Sequence, residues 1–290
     1  MAQASSKSWK KIFDDYNIHQ HIFEKEPFHI SANQIKTACQ KFKKTGEKEV
    51  RILCTQTKRE DRPNIFKEKQ LFLLPIKNGH YCIVKGEGYV DVPNIDKEVI
   101  LYKSKLSFDL DTSQVGQSEM QHLDYAYASS LIKPFTDDDS LVLTIRGRKY
   151  TEKPFEFFVN NQKVQVRGVQ TEVDAGYEGK DKVVLIEAKN IKANNVIIRQ
   201  MYYPFKKWKQ ETQKQIINLF FQKIEDTYSI WQFEFEDEKD YNSVKLKKAI
   251  KFKIKLILLF VRKFRLKRVR KMKFDREKIK HFTDYWFIVT

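Results

Sequence analysis

The sequence predicts an α+β protein in which a mixed β-sheet is flanked by helices, with an additional α+β domain at the N-terminus. Two capping boxes each precede apolar residues at helical spacing. Between them lie short β-branched and aromatic runs that are bounded by turn residues, as in strands. The chain has 290 residues, 41% of them hydrophobic, with 22 Phe and 13 Tyr. It therefore has enough apolar surface for one large core or two modest ones.

The first part of the chain is predicted to be a separate α+β unit. Residues 8–45 favour helix, and Ser31 and Gln34 have the spacing of a capping box. Asn78-Gly79 is a turn signal. Four strands are predicted, over residues 50–55, 70–76, 81–85 and 99–103. We assign residues 1–110 to this N-terminal domain.

The second part begins after a polar connection over residues 107–116. Ser118 to Gln121 form another capping box and predict a helix. A later helix is predicted from residue 196, kinking or breaking at Pro204 and resuming over residues 205–226. Strands are predicted over residues 141–146, 155–159, 164–174, 182–189 and 230–236. The apolar stripe expected on the later helix consists of Trp208, Ile216, Leu219, Phe220 and Ile224. Residues 111–235 form the second predicted domain.

A hairpin in this second part carries the chemistry. Residues 183–186 are an apolar, β-branched run that predicts a buried strand, and Glu187-Ala188-Lys189 follows it directly. Alternation along the strand places Glu187 and Lys189 on one face, roughly 7 Å apart. A turn near Lys180 would set Asp174 opposite Glu187. Two facing carboxylates repel unless a cation lies between them, and a hard divalent cation suits oxygen ligands.

The order of helix, antiparallel strands with an acid and then Glu-x-Lys, and a further helix resembles the PD-(D/E)XK nuclease superfamily. Asp174 matches the lone acid of that family, and residues 186–189 match its apolar strand ending in Glu-x-Lys. Val173 stands where the family has proline. The segment from Arg199 is similar to the helix that follows these strands in type II restriction endonucleases. The resemblance covers roughly residues 117–210 and implies a restriction-endonuclease-like core that uses Mg²⁺.

The resemblance also implies roles for individual residues. Asp174, Glu187 and the carbonyl group of Ala188 would hold Mg²⁺, and Lys189 would orient or deprotonate the attacking water or stabilise the developing charge. Two further acids have alternative roles: Glu119 is either a metal ligand or a carboxylate favoured by the helix dipole, and Glu172 either supports a second ion or faces solvent. Two residues have supporting roles: Arg199 would contact phosphate, and Gln200 would position other groups.

The net charge of +17 is concentrated near the C-terminus. Between Lys245 and Lys280 there are 17 Lys and Arg residues against Asp275 and Glu277. Such a segment is either a solvated face or a surface for a polyanion, and both membranes and nucleic acids are polyanions. Because the hairpin independently indicates nucleic acid, we predict that the basic C-terminal segment, residues 236–290, contacts DNA. The N-terminal domain, residues 1–110, is a candidate for DNA recognition. Three arginines flank the core strands as further candidate DNA contacts, although exposed arginines are common: Arg146, Arg148 and Arg167.

Other classes of protein are disfavoured. The longest apolar run, residues 256–261, is too short for a membrane span, and the first residues lack the apolar core of a secretory signal. The three cysteines are odd in number and show no CxxC spacing, which argues against a disulfide framework and a zinc site. We therefore expect a cytoplasmic protein with no membrane partner.

The leading hypothesis is a Mg²⁺-dependent type II restriction endonuclease that hydrolyses phosphodiester bonds at a short specific double-stranded DNA sequence. A palindromic site would be bound by a two-fold symmetric homodimer, and a cognate DNA methyltransferase would be its genetic partner. The alternative is a structure-specific DNA repair or junction-resolving nuclease of the same superfamily. A third reading, from another class, is a non-catalytic DNA-binding protein.

Overall fold

The computed structural model describes residues 2–106, 108 and 110–255 of the chain. The predicted basic segment lies within these residues only as far as Lys255, and its remainder, residues 256–290, lies outside them. The described part is mixed α+β, with a large mixed sheet flanked by helices, as the sequence predicts. No helix in that part combines the length and the apolar character needed to cross a bilayer.

The N-terminal unit consists of five helices and a three-stranded antiparallel sheet. The sheet has the order β1-β3-β2, with β1 spanning Phe28–Ser31, β2 Leu71–Lys77 and β3 His80–Lys85. The helices are α1 (Ala2–Asp15), α2 (Ala32–Cys39), α3 (Thr45–Lys48), α4 (Val50–Leu53) and α5 (Asn64–Glu68). The predicted capping box of α2 is confirmed, because Ser31 Oγ accepts a hydrogen bond from Gln34 N and Ser31 N donates one to Gln34 Oε1.

Two predictions for this unit are wrong in part. Residues 50–55 do not form a strand, since helix α4 and its C-terminal turn occupy them. The helical pattern over residues 8–45 is interrupted by β1, which pairs with β3. In both cases, contacts between residues that are far apart in the sequence determine the local structure and override a weak helix or strand propensity.

The large sheet contains seven strands in the order β5-β14-β13-β12-β10-β9-β6. Its strands are β5 (Ile100–Lys103), β6 (Val142–Tyr150), β9 (Gln170–Glu178), β10 (Lys182–Lys189), β12 (Gln215–Ile224), β13 (Thr227–Phe235) and β14 (Val244–Lys255). The β10–β12 and β14–β5 pairs are parallel and the other pairs are antiparallel. Two small antiparallel pairs complete the strands, β4 (Tyr89–Asp91) with β11 (Asn195–Ile197) and the hairpin of β7 (Phe155–Val159) with β8 (Gln162–Val166).

The predicted helix over residues 205–226 is wrong beyond residue 209. Helix α8 spans Arg199–Lys209 and runs past Pro204 without ending there, and β12 follows it. Leu219 packs into the core on one face of the sheet and Phe220 into the core on the other, which is strand geometry. A strand that is buried on both faces lacks the alternation of apolar and polar residues that identifies a half-exposed one. This pattern explains the wrong prediction.

The predicted strand over residues 164–174 is divided into β8 and β9. Gly168 lies between them with a φ of 65°, a left-handed conformation that favours glycine and turns the chain. The two resulting strands belong to different sheets. Asp174 therefore lies on a long strand of the large sheet, and the preceding β7–β8 hairpin belongs to a separate sheet.

Helices cover both faces of the sheet at β9 and β10. Helix α6 (Glu119–Ala128) packs Leu123 and Ala126 against one face, which includes Ala188. The short helix α7 (Ile132–Thr136) extends the same layer. Helix α8 packs against the other face, where Trp208 contacts a cluster that includes Leu185. Glu187 and Lys189 share the face of Leu185, so their side chains lie on the α8 side of the sheet.

The two parts of the chain are joined through shared sheets. Strand β5 pairs with β14, and β4 pairs with β11, so residues on both sides of residue 110 belong to the same sheets. The division at residues 110 and 235 remains a prediction. The described cysteines Cys39, Cys54 and Cys82 are all free thiols.

Leu219→Ala is expected to lower the free energy of unfolding by about 2–5 kcal/mol, because it leaves a cavity in the centre of the core. Ile224→Ala, at the 39% exposed end of the same strand, should lower it by no more than about 1 kcal/mol. Urea denaturation followed by circular dichroism measures both. Equal losses would contradict the central position of Leu219 in β12.

Candidate active site

The β9–β10 hairpin brings the predicted acids side by side. The pairing of the two strands ends at Ile186 and Ala175, and Glu187 and Asp174 are the next residues beyond that pair. Asp174 Oδ2 accepts a hydrogen bond of 2.8 Å from Ala188 N, which fixes that carboxylate against the neighbouring strand. The polar turn between Glu178 and Lys182 sets this register, as the sequence predicts.

Glu187 is the most buried acid of the site, with 7% of its surface exposed. Its Oε1 accepts hydrogen bonds from Lys189 Nζ and from Gln200 Nε2. Burial raises the pKa of Glu187 to about 7 against the opposing attraction of Lys189, and the negative charge of Asp174 adds to the rise. The site thus holds a carboxyl group whose ionised form is unfavourable without additional positive charge.

Asp174 and Lys189 are perturbed by the same surroundings. Burial raises the pKa of Asp174, while the Ala188 N–H and the Lys189 charge oppose the rise. Burial by itself would lower the pKa of Lys189, but the attraction and hydrogen bond of Glu187, with smaller contributions from Glu119 and Asp174, raise it. The three groups therefore form one electrostatically coupled cluster.

The ammonium group of Lys189 bridges two oxygens of β10. Its Nζ donates to Ala188 O at 2.8 Å as well as to Glu187 Oε1. These are two of the three groups that the resemblance assigns to a metal ion, so the site already accommodates a cation there. In the described part of the chain no three His, Cys, Asp or Glu side chains form a metal-binding group. Two carboxylates and a carbonyl nevertheless fit Mg²⁺, which usually keeps several water ligands.

Helix α8 supplies the groups on the far side of Glu187. It begins at Arg199, so its positive end and its first side chains are directed towards the acids. Gln200 Nε2 reaches Glu187, whereas Gln200 Oε1 is buried without a hydrogen-bond partner. Arg199 Nε is also buried without a partner. Both residues thus retain unused hydrogen-bonding capacity beside the acids.

Glu119 and Glu172 occupy the margins of the cluster. Glu119 lies in the first turn of α6, after the N-cap Ser118, and its Oε1 accepts a 3.4 Å hydrogen bond from Asn190 N. Its charge contributes to the raised pKa of both Asp174 and Glu187. Glu172 is exposed and its Oε2 lies 3.2 Å from Arg148 Nε. Glu119 therefore affects the ionisation of the two acids, whereas Glu172 lies at the rim of the site.

An open cleft of about 700 Å³ brings these residues together. All seven predicted site residues that act through side chains line it, namely Glu119, Glu172, Asp174, Glu187, Lys189, Arg199 and Gln200. The Ala188 side chain is buried in the core on the opposite face, and its carbonyl group contacts Lys189. Of the three candidate arginines, Arg148 lines the cleft, whereas Arg146 pairs with Asp124 and Arg167 lies elsewhere.

The N-terminal unit also contributes to this cleft, which the sequence does not predict. Five residues of that unit line it, namely Arg51, Cys54, Thr55, Pro75 and Tyr81. They come from the end of α4 and from β2 and β3, which are distant in sequence from the hairpin. No local motif marks them, and residues 50–55 were predicted to be a strand. Only the packing of the two units reveals their position.

These features define a mixed α+β protein with a carboxylate and lysine cluster in an open cleft. Residues 84–253 match the family described as "Domain of unknown function (DUF6997)", and the chain belongs to that family. Residues 6–83 match a second description, "Domain of unknown function (DUF6996)". No curated protein and no solved structure matches the chain.

The stability of the metal-free protein is expected to fall as the pH rises from about 4.5 to about 7. Native Glu187 retains a proton over this range that an unfolded glutamate releases, so the stabilisation is present at lower pH and is lost as the pH passes about 7. The loss should be on the order of 2–3 kcal/mol and should be much smaller in Glu187→Gln, where only the raised pKa of Asp174 remains. Urea denaturation in EDTA at several pH values measures it.

The matched control is Glu152→Gln, which changes an exposed glutamate outside the cleft. This variant should keep the pH dependence of the wild type. An unchanged pH dependence in Glu187→Gln would contradict the assignment of the effect to Glu187.

Proposed function

We propose that the protein is a Mg²⁺-dependent endonuclease that hydrolyses phosphodiester bonds in DNA, with a restriction-endonuclease-like core. The observation that carries the proposal is the cluster of Asp174, Glu187 and Lys189 at the edge of an open cleft. The cluster combines two acids of raised pKa with a lysine that contacts one of them and the Ala188 carbonyl oxygen. Perturbed ionisable groups gathered in a cleft are typical of catalytic sites.

The order of elements supports the same proposal. Helix α6 is followed by β6, β9 and β10 as an antiparallel set, and then by helix α8. Asp174 lies on β9, and the Glu-x-Lys motif ends β10. This order agrees with the arrangement on which the resemblance to PD-(D/E)XK nucleases rests, apart from the inserted pair β7 and β8.

Asp174, Glu187 and the Ala188 carbonyl group are the residues that would hold Mg²⁺. The ion would neutralise charge on the scissile phosphate and acidify a water molecule. Two of these three ligands contact the Lys189 ammonium in the structure. Glu119 is close enough to influence both acids, and we assign it a supporting role at the same ion. We assign Glu172 to the rim, where it forms an ion pair with Arg148.

Lys189 is the residue that acts on the reacting groups. Its ammonium lies at the edge of the cleft, 18% exposed, where it can orient the attacking water or stabilise charge that develops on the phosphate. Gln200 holds Glu187 in position through its amide group. Arg199, with its buried and unpartnered Nε, is suited to a phosphate oxygen.

We propose double-stranded DNA as the substrate because the acids lie in an open cleft and the chain has a net charge of +17. Cleavage at a short specific sequence by a homodimer, with a cognate methyltransferase as genetic partner, is the specific form of the proposal. A structure-specific nuclease of the same superfamily would cut branched DNA instead. The substrate range in the cleavage experiment distinguishes the two forms.

Lys189→Ala is expected to lower the rate of DNA cleavage by a factor of about 10² to 10⁴, because it removes the group that orients water or stabilises charge. The measurement is cleavage of plasmid, phage and branched DNA in Mg²⁺, with EDTA as a blank. Discrete fragments indicate a specific duplex site, and cutting confined to branched DNA indicates the structure-specific form.

Lys180→Ala is the matched control, since Lys180 is an exposed lysine in the turn of the same hairpin. It should cleave DNA at the wild-type rate. Binding of DNA without cleavage by the wild type under any divalent ion would refute the nuclease proposal and leave a DNA-binding protein.

Mg²⁺ is expected to raise the melting temperature by about 5 °C at pH 8 and by less at pH 6. The two acids must lose their protons to bind the ion, and their raised pKa values favour protonation at the lower pH. Asp174→Asn should abolish the increase. Thermal denaturation with and without Mg²⁺ measures this independently of catalysis, and an equal increase at both pH values would contradict binding at these acids.

A further inference from the structure

The N-terminal unit forms part of the wall of the catalytic cleft. Arg51, Cys54 and Thr55 come from α4 and the turn that ends it, and Tyr81 comes from β3. Burial raises the pKa of Tyr81, Cys54 adds to the rise, and the positive charge of Arg199 opposes it. This wall therefore lies beside Arg199, at the start of α8.

Direct hydrogen bonds fix this wall to the elements that carry the active site. Ile197 N, two residues before α8, donates to Thr57 O at 3.1 Å. Arg59 N donates to Asn195 Oδ1 at 2.7 Å. From within α8, Tyr203 OH donates to Pro75 O at 3.0 Å. These hydrogen bonds hold the end of α4 and the start of α8 in a defined position relative to each other. No more than three residues lie between each hydrogen-bonded residue and the nearest residue that lines the cleft.

The guanidinium groups of this region lack the partners that most other described arginines have. Arg59, Arg146 and Arg148 each form an ion pair with a carboxylate. Within the described residues, neither Arg51 nor Arg199 has a carboxylate partner. Arg51 is exposed at the cleft, and Arg199 Nε is buried without a hydrogen-bond partner.

Charge is arranged asymmetrically across the cleft. The acids lie on β9, β10 and the start of α6, and the unpaired guanidinium groups lie on α4 and the start of α8. Guanidinium groups bind phosphate through two parallel hydrogen bonds, more strongly than they bind neutral groups. Arg51 and Arg199 line the same cleft as the acids, where a polyanion with one phosphate at the acids would bring further phosphates.

We infer that Arg51 binds a backbone phosphate of the DNA substrate, together with Arg199, so that the N-terminal unit completes the substrate-binding cleft. This inference rests on the proposed nuclease function and assigns Arg51 to phosphate positioning. Contacts to phosphate fix the position of the duplex and carry no sequence information. Arg51 therefore contributes to affinity for all duplexes alike.

Arg51→Ala is expected to weaken binding of duplex DNA roughly five- to tenfold at about 0.1 M salt, and to reduce the slope of log K against log salt by about 1. Arg51→Lys should retain most of the affinity because it keeps the charge. The measurement is fluorescence anisotropy of labelled duplexes of several sequences, with Ca²⁺ in place of Mg²⁺. Cleavage of the same duplexes in Mg²⁺ is assayed separately.

Lys36→Ala is the matched control, because Lys36 is an exposed cation of the same N-terminal unit and lies outside the cleft. Wild-type affinity for this variant, with weaker binding by Arg51→Ala and unchanged circular dichroism, supports the inference. If the wild type binds and cuts DNA but the two variants have the same affinity and salt slope, the inference fails while the nuclease proposal stands. If the wild type neither binds nor cuts DNA, both fail.

Discussion

The burial of Glu187 at the end of β10 is the constraint on which the site depends. A carboxylate that is 7% exposed is unfavourable unless it is paired and hydrogen-bonded, and the pKa of about 7 reflects the free-energy cost of burying its charge. Lys189 supplies the charge and Gln200 supplies a further hydrogen bond. Because Gln200 is the second residue of α8, satisfying Glu187 requires this helix to begin beside the strand end.

The same requirement links the two parts of the molecule. The strand that leads into α8 is β11, which pairs with β4, and Tyr203 of α8 reaches the backbone of Pro75. The N-terminal unit therefore supports the helix that orders the buried acid, and its α4 segment lies at the cleft as a consequence. Supporting contacts of this kind hold catalytic groups within the narrow tolerance that chemistry needs.

Local sequence signals predicted some elements well and others poorly. The capping residues Ser31 and Ser118 mark helix starts correctly, because an N-cap acts within three residues. The sequence of β12 predicts helix, because a strand that is buried on both faces lacks the period of two that identifies a half-exposed strand. A turn at Gly168 separates β9 (Gln170–Glu178) from the preceding β7–β8 hairpin. The residues on both sides of this turn favour strand, so the sequence predicts one continuous strand instead of two.

The sequence by itself determined that Asp174, Glu187 and Lys189 meet. A short turn fixes the pairing of the hairpin, and alternation along β10 places Glu187 and Lys189 on one face, so both effects act within one pair of strands. Only the tertiary structure decided that Gln200 hydrogen-bonds Glu187, that Glu119 approaches the acids, and that Arg51 lines the cleft. Those positions result from the packing of α8, α6 and the N-terminal unit on the sheet, and such packing joins residues that no local pattern connects.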